Sequence, residues 1–445
     1  MSSATPSNPT PTTPIPHAPH ARSQRSHQRR VFSYVSRREV VRINRMLRIE
    51  FVGGLIIMVA ALVGFIAANS SIAEWYLGIR DTVIGPESLG LNLTVGAWAS
   101  DGLLAIFFFM VGLELKREFV EGDLRSIKTA IVPVAAAFGG VAAPAIIYTI
   151  VNLGTDTLHG WAIPTATDIA FAVAVLGLIA PGINPALRMF LLTLAVVDDF
   201  IAIAIIAIFY TGGIQILPLL LAAIPAAVFA ILVRWKGEWF ARSSWGAWLI
   251  LLPLGVLTWG IFFNSGIHAT IAGVVLAFLV PVRGKNGREV AERMNSRFQP
   301  LSALIAVPIF ALFAAGVPLG EVTRFPFDPI ALGIMIGLVI GKPVGITLTT
   351  WALTRFTKAT LGTSVSWREI IGVGALAGVG FTVAMLVSEL SFTDHSDIDT
   401  ARLSVMVASI VAVGVAAIIL VPGRKQRAME PVTQANLVLP DEELR

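Results

Sequence analysis

The 445-residue chain contains no cysteine and only four tyrosines, and charged residues make up just 14% of it. The missing thiols exclude disulfides, thiolate metal sites and cysteine nucleophiles. The shortage of charge excludes an ordinary soluble domain, in which about 25% of residues are charged. Apolar residues fill the chain instead, at 55% hydrophobic and a mean hydropathy of +0.78. That composition describes a polytopic membrane protein, for which the lack of cysteine says little about compartment.

With a window of about 20 residues, apolar segments fall near 50–68, 95–115, 127–150, 162–180, 186–210, 214–233, 247–263, 267–281, 300–317, 330–353, 369–390 and 401–421. The expected fold is all-α with about twelve transmembrane helices. Eleven remains open, because the seventh and eighth segments are short and separated by little more than Asn264, Ser265 and Gly266. Twelve spans put 29 of the 33 Lys and Arg on one side, with Arg80, Arg324 and Arg402 on the other and Lys342 inside the membrane. This positive-inside asymmetry places both termini in the cytoplasm, favours an even number of spans and fits a multi-pass protein of the cell (inner) membrane. The basic loops account for the pI of 9.7, so no nucleic-acid partner is implied. Residues 1–45 are expected to be a disordered cytoplasmic tail, since residues 1–30 are rich in Ser, Thr, Pro, His and Arg without apolar periodicity. No apolar core near the start marks a secretory signal. The transmembrane domain is expected over 46–422, with a second solvated tail at 423–445.

Asp168, Asp198 and Asp199 sit inside these apolar stretches, and Lys342 in the middle of another. From Met189 to Phe209, 18 of 21 residues are apolar, the exceptions being Thr193 and the two aspartates. Each Leu, Ile, Val or Phe contributes about −0.3 to −0.6 kcal/mol to insertion, and each central Asp opposes it by about 2.5 to 3.5 kcal/mol. The sums nearly cancel, so the helix still inserts, but a mere anchor would carry Leu or Ala there. Charge at this depth points to function.

Two spans are irregular. The fourth gathers Pro164, Thr165, Thr167 and Asp168, and the eleventh carries Gly372, Gly374, Gly378 and Gly380 before Phe381 and Thr382. Interrupted helices at membrane depth are tolerated where protein or water satisfies the freed backbone. Their corresponding positions predict inverted repeats of spans 3–5 and 10–12, with a transport site between them. The plainer alternative is that the glycines only let helices pack closely.

Consecutive helical residues point about 100° apart, so Asp198 and Asp199 are expected to do different work. One can line an ion site with Asp168 while the other meets Lys342. The four could instead form a structural salt-bridge network, but three acids against one base leave the cluster negative unless it binds protons or a cation. Desolvation and like-charge repulsion make such acids hold protons near physiological pH. A small hard cation prefers the oxygens that carboxylates, Thr167 and opened backbone carbonyls supply. Competition between the two for one site yields exchange, and a buried lysine can join by giving up its proton.

Several segments then carry a resemblance: Phe109 to Glu118 (FMVGLELKRE), Gly160-Trp161-Ala162-Ile163-Pro164 leading to Thr167-Asp168-Ile169-Ala170-Phe171, Val197-Asp198-Asp199, Ser265 to Thr270, Gly341-Lys342-Pro343 and Gly380-Phe381-Thr382. Their order and spacing, across about residues 50–420, resemble the NhaA family of sodium/proton antiporters. The resemblance implies twelve spans with the fourth and eleventh broken and crossing near the midplane. It implies Asp199 as principal ion-binding acid, Asp198 as its neighbour paired with Lys342, and Asp168 with Thr167 at the break, holding Na+ together with Asp199. It implies a pH-responsive cytoplasmic mouth of Glu114, Lys116, Arg117 and Glu118, with the family histidine His268 grouped among them, although a structural hydrogen bond would explain that histidine equally well, and an acidic position at Asp101. It further implies electrogenic export of Na+ or Li+ for H+, no cofactor, and a homodimer joined through a β-hairpin near 80–92. Asn295, Ser296, Gln299 and Ala314 depart from the family pattern and put the pH response in question more than the exchange. Two carboxylates, or one carboxylate and the lysine, would release two protons per cation. The other classes considered are a sodium-coupled organic-anion symporter, a cation channel, and an intramembrane aspartyl protease, for which no Gly-x-Gly-Asp motif is present.

Overall fold

Apolar runs broken by proline, glycine and polar clusters give helices and little else. In the computed structural model, which describes residues 37–180, 185–357 and 365–429, α1 (Arg37–Ala68) and a short α2 (Ala73–Asp81) lead into an antiparallel hairpin. In it β1 (Val83–Ile84) pairs with β2 (Leu93–Thr94), Val83 facing Thr94. There follow α3 (Val95–Val120), α4 (Ile127–Val151), a tight 3-10 helix over Leu158–Thr165, α5 (Ile169–Ile179), α6 (Pro185–Phe209), α7 (Ile216–Arg242) and α8 (Ala247–Phe263). The chain continues with α9 (Ile271–Leu279), α10 (Val290–Ala314), α11 (Pro329–Phe356), α12 (Trp367–Ala377), α13 (Phe381–Ser391) and α14 (His395–Met429). Residues 1–36 and 430–445 of the expected tails lie outside the described residues. Helix nevertheless covers 37–45 and 423–429, which the sequence assigned to tail.

Among the described residues, eight helices are long and apolar enough to cross a membrane, and two bent pairs raise the number to ten. The remaining two expected spans are shorter. The 9 residues of α9 cover about 14 Å at 1.5 Å per residue, against about 30 Å of hydrocarbon. The interruption has a local cause: Gly266 takes φ +80°, and a Cβ there would stand 2.2 Å from the carbonyl oxygen of Gly213.

One group of helices packs around α4, α6, α11 and α14, enclosing the short pieces α5, α12 and α13. A second group joins α3, α7, α8, α9 and α10, and α1 bridges the two through α5 and α10. α6 is the central member: 72% of its apolar window is buried, against 28% for α7, whose sides face outward. α4 and α11 approach closely because glycine lies on both sides of the contact. A Cβ on Gly345 would fall 2.0 Å from the Gly139 carbonyl oxygen, and one on Gly139 would fall 2.5 Å from that of Gly345. Small residues let membrane helices touch backbone to backbone.

Gly345→Leu is therefore expected to lower the melting temperature in detergent, overpacking of this kind typically costing about 1–3 kcal/mol or more. Gly414→Leu is the control, since nothing lies within 4 Å of where its Cβ would be. Equal melting of the two variants would contradict the close crossing.

Candidate functional site

Two helical passes are interrupted where they meet. The 3-10 helix Leu158–Thr165 joins α5 through a 44° bend, and α12 joins α13 through one of 45°. In the first, Pro164 lacks a backbone donor, and Ala166 and Asp168 are extended. In the second, a Cβ on Gly378 would stand 2.4 Å from the Leu338 carbonyl oxygen, which only glycine avoids. The breaks satisfy each other. The Asp168 amide donates to the Val379 carbonyl at 2.7 Å, and Thr167 Oγ1 donates to the Ala377 carbonyl at 2.9 Å. Opened backbone is thus supplied with partners that lipid cannot offer.

The crossing also assembles like helix ends, whose partial charges need partners. Both α5 and α13 begin here, each with a positive N-terminal end worth roughly half a unit charge. Asp168 lies between them: the Phe171 amide donates to Oδ1 at 2.9 Å and the Thr382 amide to Oδ2 at 3.1 Å. Hydrogen bonds to an ionised carboxylate are among the stronger kinds. The opposite polarity is met by a cation. Lys342 Nζ donates to the carbonyl of Thr165, the last residue of the 3-10 helix, and to Asp198 Oδ2 at 2.9 Å. Lys342 and Asp198 are 0% and 1% exposed, and Asp198 Oδ1 has no hydrogen-bond partner among the described residues. A wide π turn, Gly337–Gly341, precedes the lysine, a distortion often found at functional positions.

Asp199, the next residue along α6, faces elsewhere. With Asp168, Glu114, Thr382, Asn295, Gln299 and Ser302 it lines a cavity of about 100 Å³. The structure thus brings Asp168 and Asp199 to one space and leaves Asp198 paired with Lys342 outside its lining. Thr167, expected as an ion ligand, is not part of the lining, and its hydroxyl serves the crossing. Three lining residues carried little weight in the sequence. Thr382 stood only within a motif, although it is in the first turn of the helix that restarts after the second break. Asn295 and Gln299 were read as departures from a pattern, yet their spacing of four puts both on one face of α10. Among the described residues no group of three or more His, Asp or Glu is placed to hold a metal. A larger cavity between α3, α8 and α9, lined by Trp98, Phe109 and Trp259 among others, is almost wholly apolar and offers an ion nothing.

The residues expected at the mouth separate into two places. Glu114 lines the cavity. Arg117 bridges Glu118 at 3.0 Å and Glu292 at 2.6 Å, tying α3 to α10. Lys116 donates to the carbonyls of Phe278 and Val280, capping the end of α9. His268 is not with them. Its Nε2 lies 3.1 Å from Asp101 Oδ1 and its Nδ1 2.7 Å from Thr270 Oγ1. Asp101 and Glu118 stand seventeen residues apart along α3, or about 25 Å, so the expected grouping of His268 with the mouth gives way to a pair at the opposite end.

Removing one member of a buried ion pair strands the other and costs about 3–5 kcal/mol. Lys342→Met and Asp198→Asn are each expected to lower the melting temperature more than the combined Asp198→Asn/Lys342→Met variant does. Additive shifts in a double-mutant cycle would reject a direct pair.

The family model described as Na+/H+ antiporter 1 matches residues 44–420. The Na(+)/H(+) antiporter NhaA of Arthrobacter sp. (strain FB24) is 53% identical over 405 residues, 88% of each chain. That of Renibacterium salmoninarum is 50% identical over 88% of this chain and 91% of its own, and that of Mycolicibacterium smegmatis is 49% identical over 88% and 90%. In architecture the chain is similar to the sodium proton antiporter MjNhaP1 from Methanocaldococcus jannaschii, with a TM-score of 0.51 at 15% identity, covering 88% of this chain and 100% of that one. The chain belongs to the NhaA family of Na+/H+ antiporters.

Proposed function

We propose that the chain exports Na+ or Li+ in exchange for H+ by letting the two ions compete for Asp199 and Asp168, while Lys342 and Asp198 complete the charge balance. The observation that carries this reading is the division of the three acids. Two face one buried cavity and the third is taken by the lysine. An empty site with Asp168 and Asp199 both ionised would hold unbalanced charge away from water, so it is stable only with protons or a cation bound. If the protein changes its side of access only when neutralised, each cation carried one way requires protons carried the other. Release of two protons per cation, from both carboxylates or from one and Lys342, makes the cycle electrogenic.

The excess of Lys and Arg on one set of loops supports cytoplasmic termini in the inner membrane. In that orientation the cavity, lined by Glu114 from the later half of α3 and Asn295 from the start of α10, lies on the cytoplasmic side of the crossing. The bent pairs support inverted repeats of spans 3–5 and 10–12, and α8 and α9, taken as short passes, bring the number of spans to twelve. Thr167 acts by joining the breaks. Glu118, Arg117 and Lys116, with Glu114, answer to cytoplasmic pH, and His268 with Asp101 acts at the far side. The transmembrane unit runs over about 46–422 between solvated tails. The hairpin supports a homodimer, since Val83, Ile84 and Leu89 are 52%, 49% and 60% exposed on it.

Proteoliposomes with a trapped pH dye test the reading. Wild type is expected to move protons on addition of Na+ or Li+, and Asp199→Asn is expected to lose this. Full activity of Asp199→Asn would overturn the carrier assignment. Lys342→Ala retaining exchange with unchanged charge stoichiometry would remove the lysine as proton carrier and leave the two carboxylates. Sodium-driven uptake of an organic anion would favour the symporter instead.

A further inference from the structure

Each interrupted pass contributes a threonine to the crossing, and the two hydroxyls have opposite fates. Thr167 Oγ1 is held by the Ala377 carbonyl. Thr382 is 2% exposed, and its Oγ1 stands beside the Asp168 carboxylate without meeting hydrogen-bond geometry to any group among the described residues. A helical threonine usually returns its hydroxyl to the carbonyl three or four residues back. For Thr382 those carbonyls belong to Val379 and Gly378, in the break, and the first is already engaged by the Asp168 amide. The residue's backbone is anchored nonetheless, through the bond from its own amide to Asp168 Oδ2 at 3.1 Å. An unpaired hydroxyl in a buried polar cavity is uncommon and calls for an occupant. This one shares its cavity with the carboxylates of Asp168, Asp199 and Glu114.

We propose that Thr382 Oγ is a direct ligand of the transported alkali cation and helps set the preference between Na+ and Li+. The assignment rests on the reading that Asp168 and Asp199 hold the ion. A hydroxyl gives a hard cation an oxygen lone pair without adding charge. It therefore raises cation affinity while leaving the number of exchanged protons to the acids. Because ligand number and cavity size decide between cations of different radius, loss of this oxygen weakens Na+, the larger and more highly coordinated ion, more than Li+.

The test compares Thr382→Val, which keeps the shape and removes the oxygen, with Thr382→Ser, which keeps the oxygen. Dye dequenching in everted vesicles gives KM for Na+ and Li+, and reversal potentials in proteoliposomes give the stoichiometry. Thr382→Val is expected to raise the KM for Na+ on the order of tenfold, the usual scale for disturbing a metal's ligand shell, with a smaller rise for Li+. Its proton-to-cation ratio is expected to be unchanged, and Thr382→Ser to restore both affinities. Wild-type KM values in Thr382→Val would overturn the assignment, as would equal rises in the Val and Ser variants, which mark a packing role. If Thr382→Val is not recovered folded, Thr382→Ala is read against the same outcomes. Asp199→Asn is measured alongside: full exchange in that variant sinks the carrier reading itself, whereas its inactivity beside a normal Thr382→Val sinks only the threonine ligand.

Discussion

Everything in this protein is arranged around a carboxylate caught between two helix starts. Asp168 takes an amide hydrogen from α5 on one oxygen and from α13 on the other, and without it two positive helix ends would face each other inside hydrocarbon. The constraint is reciprocal, because the acid is tolerated at that depth only while the two ends point at it. Lys342 performs the mirror task at the end of the 3-10 helix, where Thr165 presents its carbonyl. The breaks, their glycines and proline, and the close approach of α4 to α11 all serve to bring these charges and dipoles into register.

In the proposed exchange this arrangement separates holding the fold from holding the ion. Asp198 and Asp199 are neighbours in sequence, and the helical turn between them sends one to the lysine and the other to the cavity. The first neutralises a buried cation whose loss would strand it. The second is left facing the cavity. Asp168 belongs to both tasks, since its oxygens accept from the helix ends while the side chain also lines the cavity. Occupation of the cavity therefore acts directly on the dipoles that fix the crossing, a physical route by which binding can be felt by both interrupted passes at once.

Much of this was legible in the sequence because depth in a membrane is a one-dimensional property. An aspartate in the middle of Met189 to Phe209 declares itself by position alone, as do the basic loops and the Pro-Thr-Asp and Gly-Phe-Thr interruptions. What could not be read is which side chains meet across space. Thr167 and Thr382 look alike in the sequence, and only the pairing of the breaks shows that the Ala377 carbonyl claims the first. His268 and Glu118 share a family resemblance but sit near opposite ends of α3, because a loop with Gly266 at positive φ returns the chain to the level of Asp101. The eighth segment reads as short in the sequence, and the turn that precedes α9 depends on a contact with Gly213 that the sequence does not display.

A site that must release what it binds is limited in how many charges it can present. Binding has to be favourable enough for the ion to enter and weak enough for it to leave. A further carboxylate beside Asp168, Asp199 and Glu114 would deepen the well for a cation and for protons alike. By pairing Asp198 with Lys342 the fold keeps that acid close, yet outside the lining. Beside the three acids the lining carries neutral oxygens from Thr382, Asn295, Gln299 and Ser302. Neutral oxygens tune the fit of one ion over another at little electrostatic gain, so selectivity can be adjusted there while the acids continue to set the exchange.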